Sequence, residues 1–408
     1  MAPEDHRVQA SRDRRLSATR WRAVWAIVAA GTLAGAHIGK VPPALPALRA
    51  DLGLTLVETG YIATMVNLLG GLAGMFAGAL SDRFGHRRMA LAGLACMAAG
   101  GLLGASAGGY VPLLASRFLE GVGFIVTTVA GVALIAQATA FGTDRAKAMA
   151  IWSCYLPAGA SMAMLAASLV LASFGWRSLW IAMSALAIAC IAIVLLTVPA
   201  SAARASVGVR RLAFESLAHP ATLLLSLVFA GYVAQWAAFM TWLPTFVVDE
   251  RGGSGALAAL LTALWVGVNV PGVLAGGWLM GHGARRSSLI FAASGLQALA
   301  SAGAFLDLFP DWGRYMSCLA FSFCGGLIPA AVFSGVAALA RSPQHVATTN
   351  GVVMQAAQLA QFASPIAVAW LAARLGWSAS LPLMLAFAAC AAAGAIAIAR
   401  IERSRMGA

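Results

Sequence analysis

Charge is what this sequence has least of. Only 10% of its 408 residues are charged, while 61% are hydrophobic. A soluble domain covers its surface with roughly a quarter charged residues, so a soluble globular protein is excluded. Acid is scarcer than base: 14 Asp and Glu stand against 27 Lys and Arg, a formal net charge of +13. That excess does not describe a nucleic-acid-binding face. The basic residues lie at the chain ends and in alternate gaps between apolar runs, and the aromatic residues sit mostly inside those runs. The six cysteines (Cys96, Cys154, Cys190, Cys318, Cys324 and Cys390) all fall in apolar segments and form no C-x-x-C pair. They read as small buried thiols, which leaves no disulfide framework and no zinc site. No H-E-x-x-H and no carboxylate pair is present, so the usual constellations of a membrane-embedded enzyme are missing. No G-x-x-x-x-G-K-[ST] loop is present either, so ATP does not drive the protein directly. No enzymatic activity, cofactor or metal is expected.

What is present is a succession of long apolar runs. A helix needs about 20 apolar residues to cross the hydrocarbon. Twelve runs qualify, at about 22–46, 56–79, 89–108, 111–139, 147–171, 177–199, 222–247, 256–280, 287–308, 313–340, 347–372 and 379–400. The first follows a basic N-terminus, is too long for a signal-peptide core and shows no small-residue cleavage site, so it reads as a retained span. Alternate loops carry the bases: Arg83, Arg87 and Arg88; Arg145 and Lys147; Arg204, Arg210 and Arg211; Arg285 and Arg286; Arg341. The opposite loops hold acids with isolated arginines, such as Asp51, Glu58, Asp249, Glu250, Asp307 and Asp311. By the positive-inside rule both termini face the cytoplasm.

The polar, basic stretch 200–221 is the one sizeable break in apolar character. It divides the chain into a cytoplasmic tail (1–21), a six-helix bundle (22–199), a central cytoplasmic loop (200–221), a second bundle (222–400) and a short tail (401–408). Internal similarity supports the division. Asn67, Gly70 and Gly74 recur as Asn269, Gly272 and Gly276 at an offset of about 202 positions, and Gly175-Trp176 recurs as Gly376-Trp377. Two pseudo-symmetric six-helix bundles are the plan of a transporter with its site near mid-membrane. The central loop is too short for an appended signalling domain, which disfavours a non-transporting sensor.

The loop Gly78-Ala-Leu-Ser-Asp-Arg-Phe-Gly-His-Arg-Arg88 joins the second and third runs. Gly78 and Gly85 permit a tight turn. Asp82 lies beside the start of the next helix, where exposed amides favour a carboxylate. The spelling resembles the major facilitator superfamily motif G-x-L-x-D-R-x-G-x-R-R, matching at Gly78, Leu80, Asp82, Arg83, Gly85, Arg87 and Arg88. The resemblance implies an all-α integral membrane fold of twelve helices, alternating access between two rocking bundles, and conformational gating by this loop. The fourth run holds Arg117-Phe-Leu-Glu120-Gly-Val-Gly123, which resembles the superfamily's R-x-x-x-G-x-G at Arg117, Gly121 and Gly123. In relatives this arginine is implicated in proton coupling. The stretch 43–54 looks closest to bacterial carriers of the cyanate and nitroimidazole type, which implies the bacterial inner membrane.

Arg117 and Glu120, three apart, share one helical face and can pair; Glu120 is the one acid placed clearly inside a span, hence the candidate proton carrier. A self-satisfied pair that only fixes packing is the alternative. His37 and Lys40 also share a face. Lys40 lies about 27 Å from Arg22 at the helical rise, near the outer boundary, where its stem can snorkel to water. With no acid nearby in sequence, His37 and Lys40 favour an anionic group on the solute. Asn67 and Asn269 serve either solute or helix–helix hydrogen bonds. Tyr232, Gln235 and Trp236, with Gln355 and Gln358, supply neutral polar groups and an aromatic wall for the substrate. The glycines of the second and eighth runs give either a sliding contact or tight packing. The partners expected are a small-molecule substrate, the lipid bilayer and protons, with the protein monomeric and not bound to nucleic acid. Export of drugs, siderophores or metabolites is the rival to uptake. Pro157-Ala-Gly159 retains too little of the exporter pattern to decide between them.

Overall fold

Within the bilayer a chain must satisfy its backbone amides internally, and apolar runs of about 20 residues do so by coiling into helices. The computed structural model describes residues 18–140, 143–200, 214–306, 308–342 and 345–406, with a few positions, Gly78 and Asp82 among them, described for their backbone alone. These residues form α1 (Trp21–Leu52), α2 (56–84), α3 (His86–Ala105), α4 (Tyr110–Ala138), α5 (143–174), α6 (176–197), α7 (Pro220–Arg251), α8 (Gly255–Gly281), α9 (Arg286–Phe305), α10 (Asp311–Leu339), α11 (Val346–Leu375) and α12 (Leu381–Met406). Ten helices are long and apolar enough to cross a membrane. One of them, Tyr155–Thr197, is two crossings folded at Gly175, and α2 supplies a further one. No strand occurs among the described residues. The all-α, twelve-crossing fold is the one the apolar runs predict. The tail 1–17 and the loop 201–213 lie outside the described residues.

The helix breaks follow from sequence chemistry. α1 is interrupted at Lys40 because Pro42 and Pro43 lack the N–H groups that would bond Ile38 and Gly39. α5 is interrupted at Cys154, three residues ahead of Pro157, whose missing donor would have served Ser153. α2 starts at a capping box: Thr55 accepts from the Glu58 amide, and the Glu58 carboxylate accepts from the Thr55 amide at 2.8 Å. The repeated Gly-Trp pairs mark equivalent hairpins. Gly175 (φ 72°) turns α5 into α6, and Gly376 (φ 82°) turns α11 towards α12, both in backbone that favours glycine.

Helix directions alternate. α1 runs parallel to α5, with Gly31 beside Trp152 and Gly35 beside Leu156; α3 runs antiparallel to α4, with Gly93 beside Thr127 and Gly104 beside Ser116. Trp21, Phe84, Thr197, Pro220 and Leu339 therefore share one end of the molecule, here termed proximal; Leu52, Gly175, Arg251 and Leu375 share the distal end. α1 and α7 are the most enclosed crossings, with 78% of their apolar stretches buried against 33% for Trp377–Arg403. They form the centre, while α12 turns most of its surface outward.

Contacts between α1–α6 and α7–α12 run through α2 with α11, α5 with α8, and α1 with α7. Near the distal end Arg49 donates to Asp249 at 2.6 Å, and Tyr61 lies 6.3 Å from Phe362. Deeper, Ser161 donates to the Ala263 carbonyl at 3.0 Å and Gln355 to the Leu72 carbonyl at 3.3 Å.

Candidate functional site

Four ionisable side chains converge between α1 and α4, each fully shielded: His37, Lys40, Arg117 and Glu120 are all 0% exposed. Glu120 Oε1 accepts from Lys40 Nζ at 2.5 Å and lies 3.1 Å from His37 Nδ1. Its other oxygen pairs with Arg117, one helical turn earlier. Lys40 Nζ also lies 3.4 Å from His37 Nδ1 and stands over the Trp180 ring, 4.5 Å from its centroid. Arg117 reaches two main-chain carbonyls beyond its own helix, that of Ile62 at 3.2 Å and that of His37 at 3.1 Å. One side chain therefore ties α4 to α1 and to α2. The enclosure depends on missing side chains as much as on present ones. A Cβ at Gly100 of α3 would sit 2.8 Å from Glu120 Cγ, and one at Gly121 would sit 2.5 Å from the Val66 carbonyl.

This geometry corrects two expectations. Lys40 does not snorkel; the α1 break at the prolines leaves it inside, on Glu120 and Trp180. The argument for an anionic solute assumed no acid near His37 and Lys40, but α4 brings one, Glu120, against both. With His37 neutral the cluster holds two cations for one anion. Charges so placed in an apolar interior are costly and persist where they do work. Among the described residues, His37 Nε2 and Arg117 Nη2 are buried with no hydrogen-bond partner.

The remaining sequence-derived candidates do not meet at one point. Asn269 donates to the Tyr232 hydroxyl at 3.2 Å and to the Ser322 carbonyl at 2.9 Å, inside the second half of the chain. Gln235 donates to the Gly231 carbonyl one turn back, and its side-chain oxygen is buried without a partner. Trp236 stacks on Trp265 at 5.8 Å. Gln355 and Gln358 lie on the seam with α2, Gln358 against Gly70. Asn67 is buried in the tight turn Met65–Asn67 of α2, its side-chain oxygen without a partner among the described residues. In the loop at the proximal end, Gly85 has φ 89°, Ser81 lies 2.8 Å from His86 Nδ1, and Arg87 donates to the Leu195 carbonyl at 2.7 Å. Arg83 stands over the Phe84 ring, and Arg88 is exposed. The expected placement of the Asp82 carboxylate lies outside the described residues.

Sequence reasoning missed Trp180, which closes the cluster from α6, and the Arg49–Asp249 pair between the halves. Neither carries a local signal, since each partner is distant in the chain.

The second half builds the same place from different chemistry. Lys40 and Phe239 stand equally far from the first residues of α1 and α7, and Glu120 and Phe321 equally far from those of α4 and α10. Where Lys40 meets Glu120, Phe239 meets Phe321 at 4.5 Å, stacked further on Trp265 at 5.9 Å.

Comparison with known proteins agrees with this architecture. Residues 27–365 match the family model described as Major Facilitator Superfamily. The chain is 33% identical over 137 residues to a probable 4-methylmuconolactone transporter of Cupriavidus pinatubonensis, a match covering 33% of this chain and only 32% of that protein. It is 25% identical over 356 residues to the multidrug resistance protein MdtL of Escherichia coli, covering 84% of this chain and 86% of that one. Among solved structures, a bacterial homologue of the human lysosomal transporter Spinster, inward-facing and unoccupied, superposes with TM-score 0.80 at 16% identity, covering 93% of this chain and 97% of that one. A D-xylose–proton symporter superposes with TM-score 0.72 at 15% identity, covering 92% and 96%. These likenesses extend the fold over nearly the whole chain, and none of them singles out the cyanate branch. With a matched region this long and the fold to go with it, the chain belongs to the Major Facilitator Superfamily, a family of membrane transporters.

Proposed function

We propose that the protein is a secondary active transporter that moves a small organic solute across the bacterial inner membrane by alternating access, coupled to protons through the cluster around Glu120. The observation that carries this reading is the complete burial of His37, Lys40, Arg117 and Glu120 in mutual contact. A proton gained or lost there changes the net charge of a sealed site and so alters the contact between α1 and α4. His37 Nε2 is buried with no hydrogen-bond partner among the described residues. The two bundles 22–199 and 222–400 rock about a central substrate site, with Gln355 and Gln358 on the seam between them, and Arg49–Asp249 holds the distal end shut in one of the two access states. The loop Gly78–Arg88 gates the proximal end, with both termini on the cytoplasmic side.

The test is proton flux in proteoliposomes under an imposed pH gradient, with Glu120→Gln compared with the unaltered protein. Glu120→Gln is expected to flatten the pH dependence of transport while solute binding persists. Unchanged pH dependence removes Glu120 from coupling. Asp82→Asn is expected to slow conformational exchange without abolishing binding; lost binding would place the loop at the solute site.

Export is the second reading, favoured by the match to the multidrug resistance protein MdtL over most of both chains. Accumulation of a solute inside inverted vesicles whose lumen is the more acidic side supports export, and proton-driven loss of solute from that lumen supports uptake.

A further inference from the structure

The second half of the chain contains a cavity of ≈ 670 Å³ within its own six helices, towards the distal end. It is lined by α7, α8, α10, α11 and α12, by the end of α9 and by the Gly376-Trp377 hairpin. None of the residues read from the sequence as substrate contacts lines it. Its size lies within the range of small-molecule sites, about 300–1,000 Å³. The aromatic residues Phe239, Trp242, Phe246, Phe305, Tyr315 and Trp377 line the wall. Five of them form two connected groups of rings: Phe239 and Phe305 lie 5.5 Å apart, and Trp377 lies 6.0 Å from Trp242 and 5.9 Å from Phe246.

The polar chemistry at this wall is already committed. Trp242 donates to the Pro365 carbonyl, Tyr315 to the Leu261 carbonyl and Arg314 to the Ala304 carbonyl. Arg251 pairs with Asp311 at 3.2 Å and stands over the Phe246 ring at 5.5 Å. Glu250 is the lining charge with no ion-pair partner among the described residues, and it is exposed. Aromatic faces attract cations, and a carboxylate at the rim outside any described ion pair adds to that attraction. Of the two arginines, Arg251 already faces the Asp311 carboxylate and Arg314 is bound at a main-chain carbonyl.

We infer that this cavity is a binding site for a lipophilic cation carrying aromatic rings, separate from the seam between the two halves and open towards the distal side. The inference is independent of proton coupling, because the cavity touches none of His37, Lys40, Arg117 or Glu120. It makes the second half a receiving site in its own right.

The experiment is calorimetric titration of the full-length protein in nanodiscs with tetraphenylphosphonium, and with tetraphenylborate as the anion of like shape, against empty nanodiscs. Saturable binding of the cation, with much weaker binding of the anion, is expected. Trp377→Ala or Phe246→Ala should weaken the cation about fivefold, the loss of one partly exposed cation–aromatic contact. Glu250→Gln, at an exposed position, should weaken it about threefold. Unaltered melting temperatures would show that these partly exposed variants remain folded. Cation binding that withstands all three substitutions overturns the site. Tetraphenylborate binding as tightly as the cation overturns the charge preference. Uptake equal to that of empty nanodiscs overturns both.

Discussion

The two halves of this molecule occupy matching positions with opposite chemistry. Between α1 and α4 the interior is ionic: Lys40, Glu120, Arg117 and His37 meet in a space closed by Trp180 and by the absent side chain of Gly100. Between α7 and α10 it is aromatic: Phe239, Phe321, Trp265 and Trp236 stack on one another, and a cavity opens above Phe239. The glycine stripes diverge in the same way. Gly70 and Gly71 of α2 face Gln358 and Leu359 across the seam between the halves, whereas Gly272 and Gly276 of α8 face the α10 backbone inside their own half. A shared helical plan thus separates two jobs. In the reading proposed above, one half holds charge that changes with a proton, and the other offers surface for an organic molecule.

The largest effect that would break this comparison is expected at Glu120. Glu120→Ala leaves two buried cations facing each other and should cost about 3–5 kcal/mol, read as a lower unfolding temperature in detergent, together with loss of proton-linked flux. Combining it with Lys40→Met should recover most of the stability and none of the flux. The aromatic counterpart, Phe321→Ala, should cost about 3 kcal/mol through the space it leaves, with the proton dependence of transport retained. Equal loss of coupling from both substitutions would erase the division of labour.

The glycines sharpen the comparison at smaller scale. A Cβ at Gly276 would stand 2.8 Å from the Leu327 carbonyl, a rigid neighbour, so Gly276→Ala should destabilise by about 1–3 kcal/mol in a melting experiment. At Gly70 the nearest atom is the movable end of Gln358, also at 2.8 Å. Gly70→Ala should therefore leave the melting temperature nearly unchanged and slow the transport cycle, measured as counterflow. Smallest in stability is the pair Arg49–Asp249, whose side chains are 32% and 35% exposed. Arg49→Ala should cost under about 1 kcal/mol, while raising the accessibility of distal cysteine labels as the halves part more readily.

Much of the fold was legible because membrane crossing is a local property. Apolar runs longer than the bilayer, broken by glycine and basic residues, fix where helices begin and end, and Gly175-Trp176 with Gly376-Trp377 already marked the repeat. Pro157 breaks α5 at Cys154, because the donor it lacks would have served the Ser153 carbonyl one turn earlier. The site was legible residue by residue and not as a whole. His37, Lys40, Arg117 and Glu120 each stand out as ionisable groups in apolar runs, but Glu120 lies 80 residues beyond Lys40, and the sequence suggested an anionic solute where the fold supplied an internal carboxylate.

Length, hydropathy and the distribution of basic residues by themselves determined a many-helix membrane protein, since the cost of burying a backbone amide in lipid leaves no other choice. Which charges neutralise one another, which glycines form a seam and which a fixed joint, and which half keeps an open aromatic cavity were decided by tertiary structure alone. Those outcomes depend on which helices become neighbours, and contact energy falls off over a few ångströms in space whatever the separation along the chain.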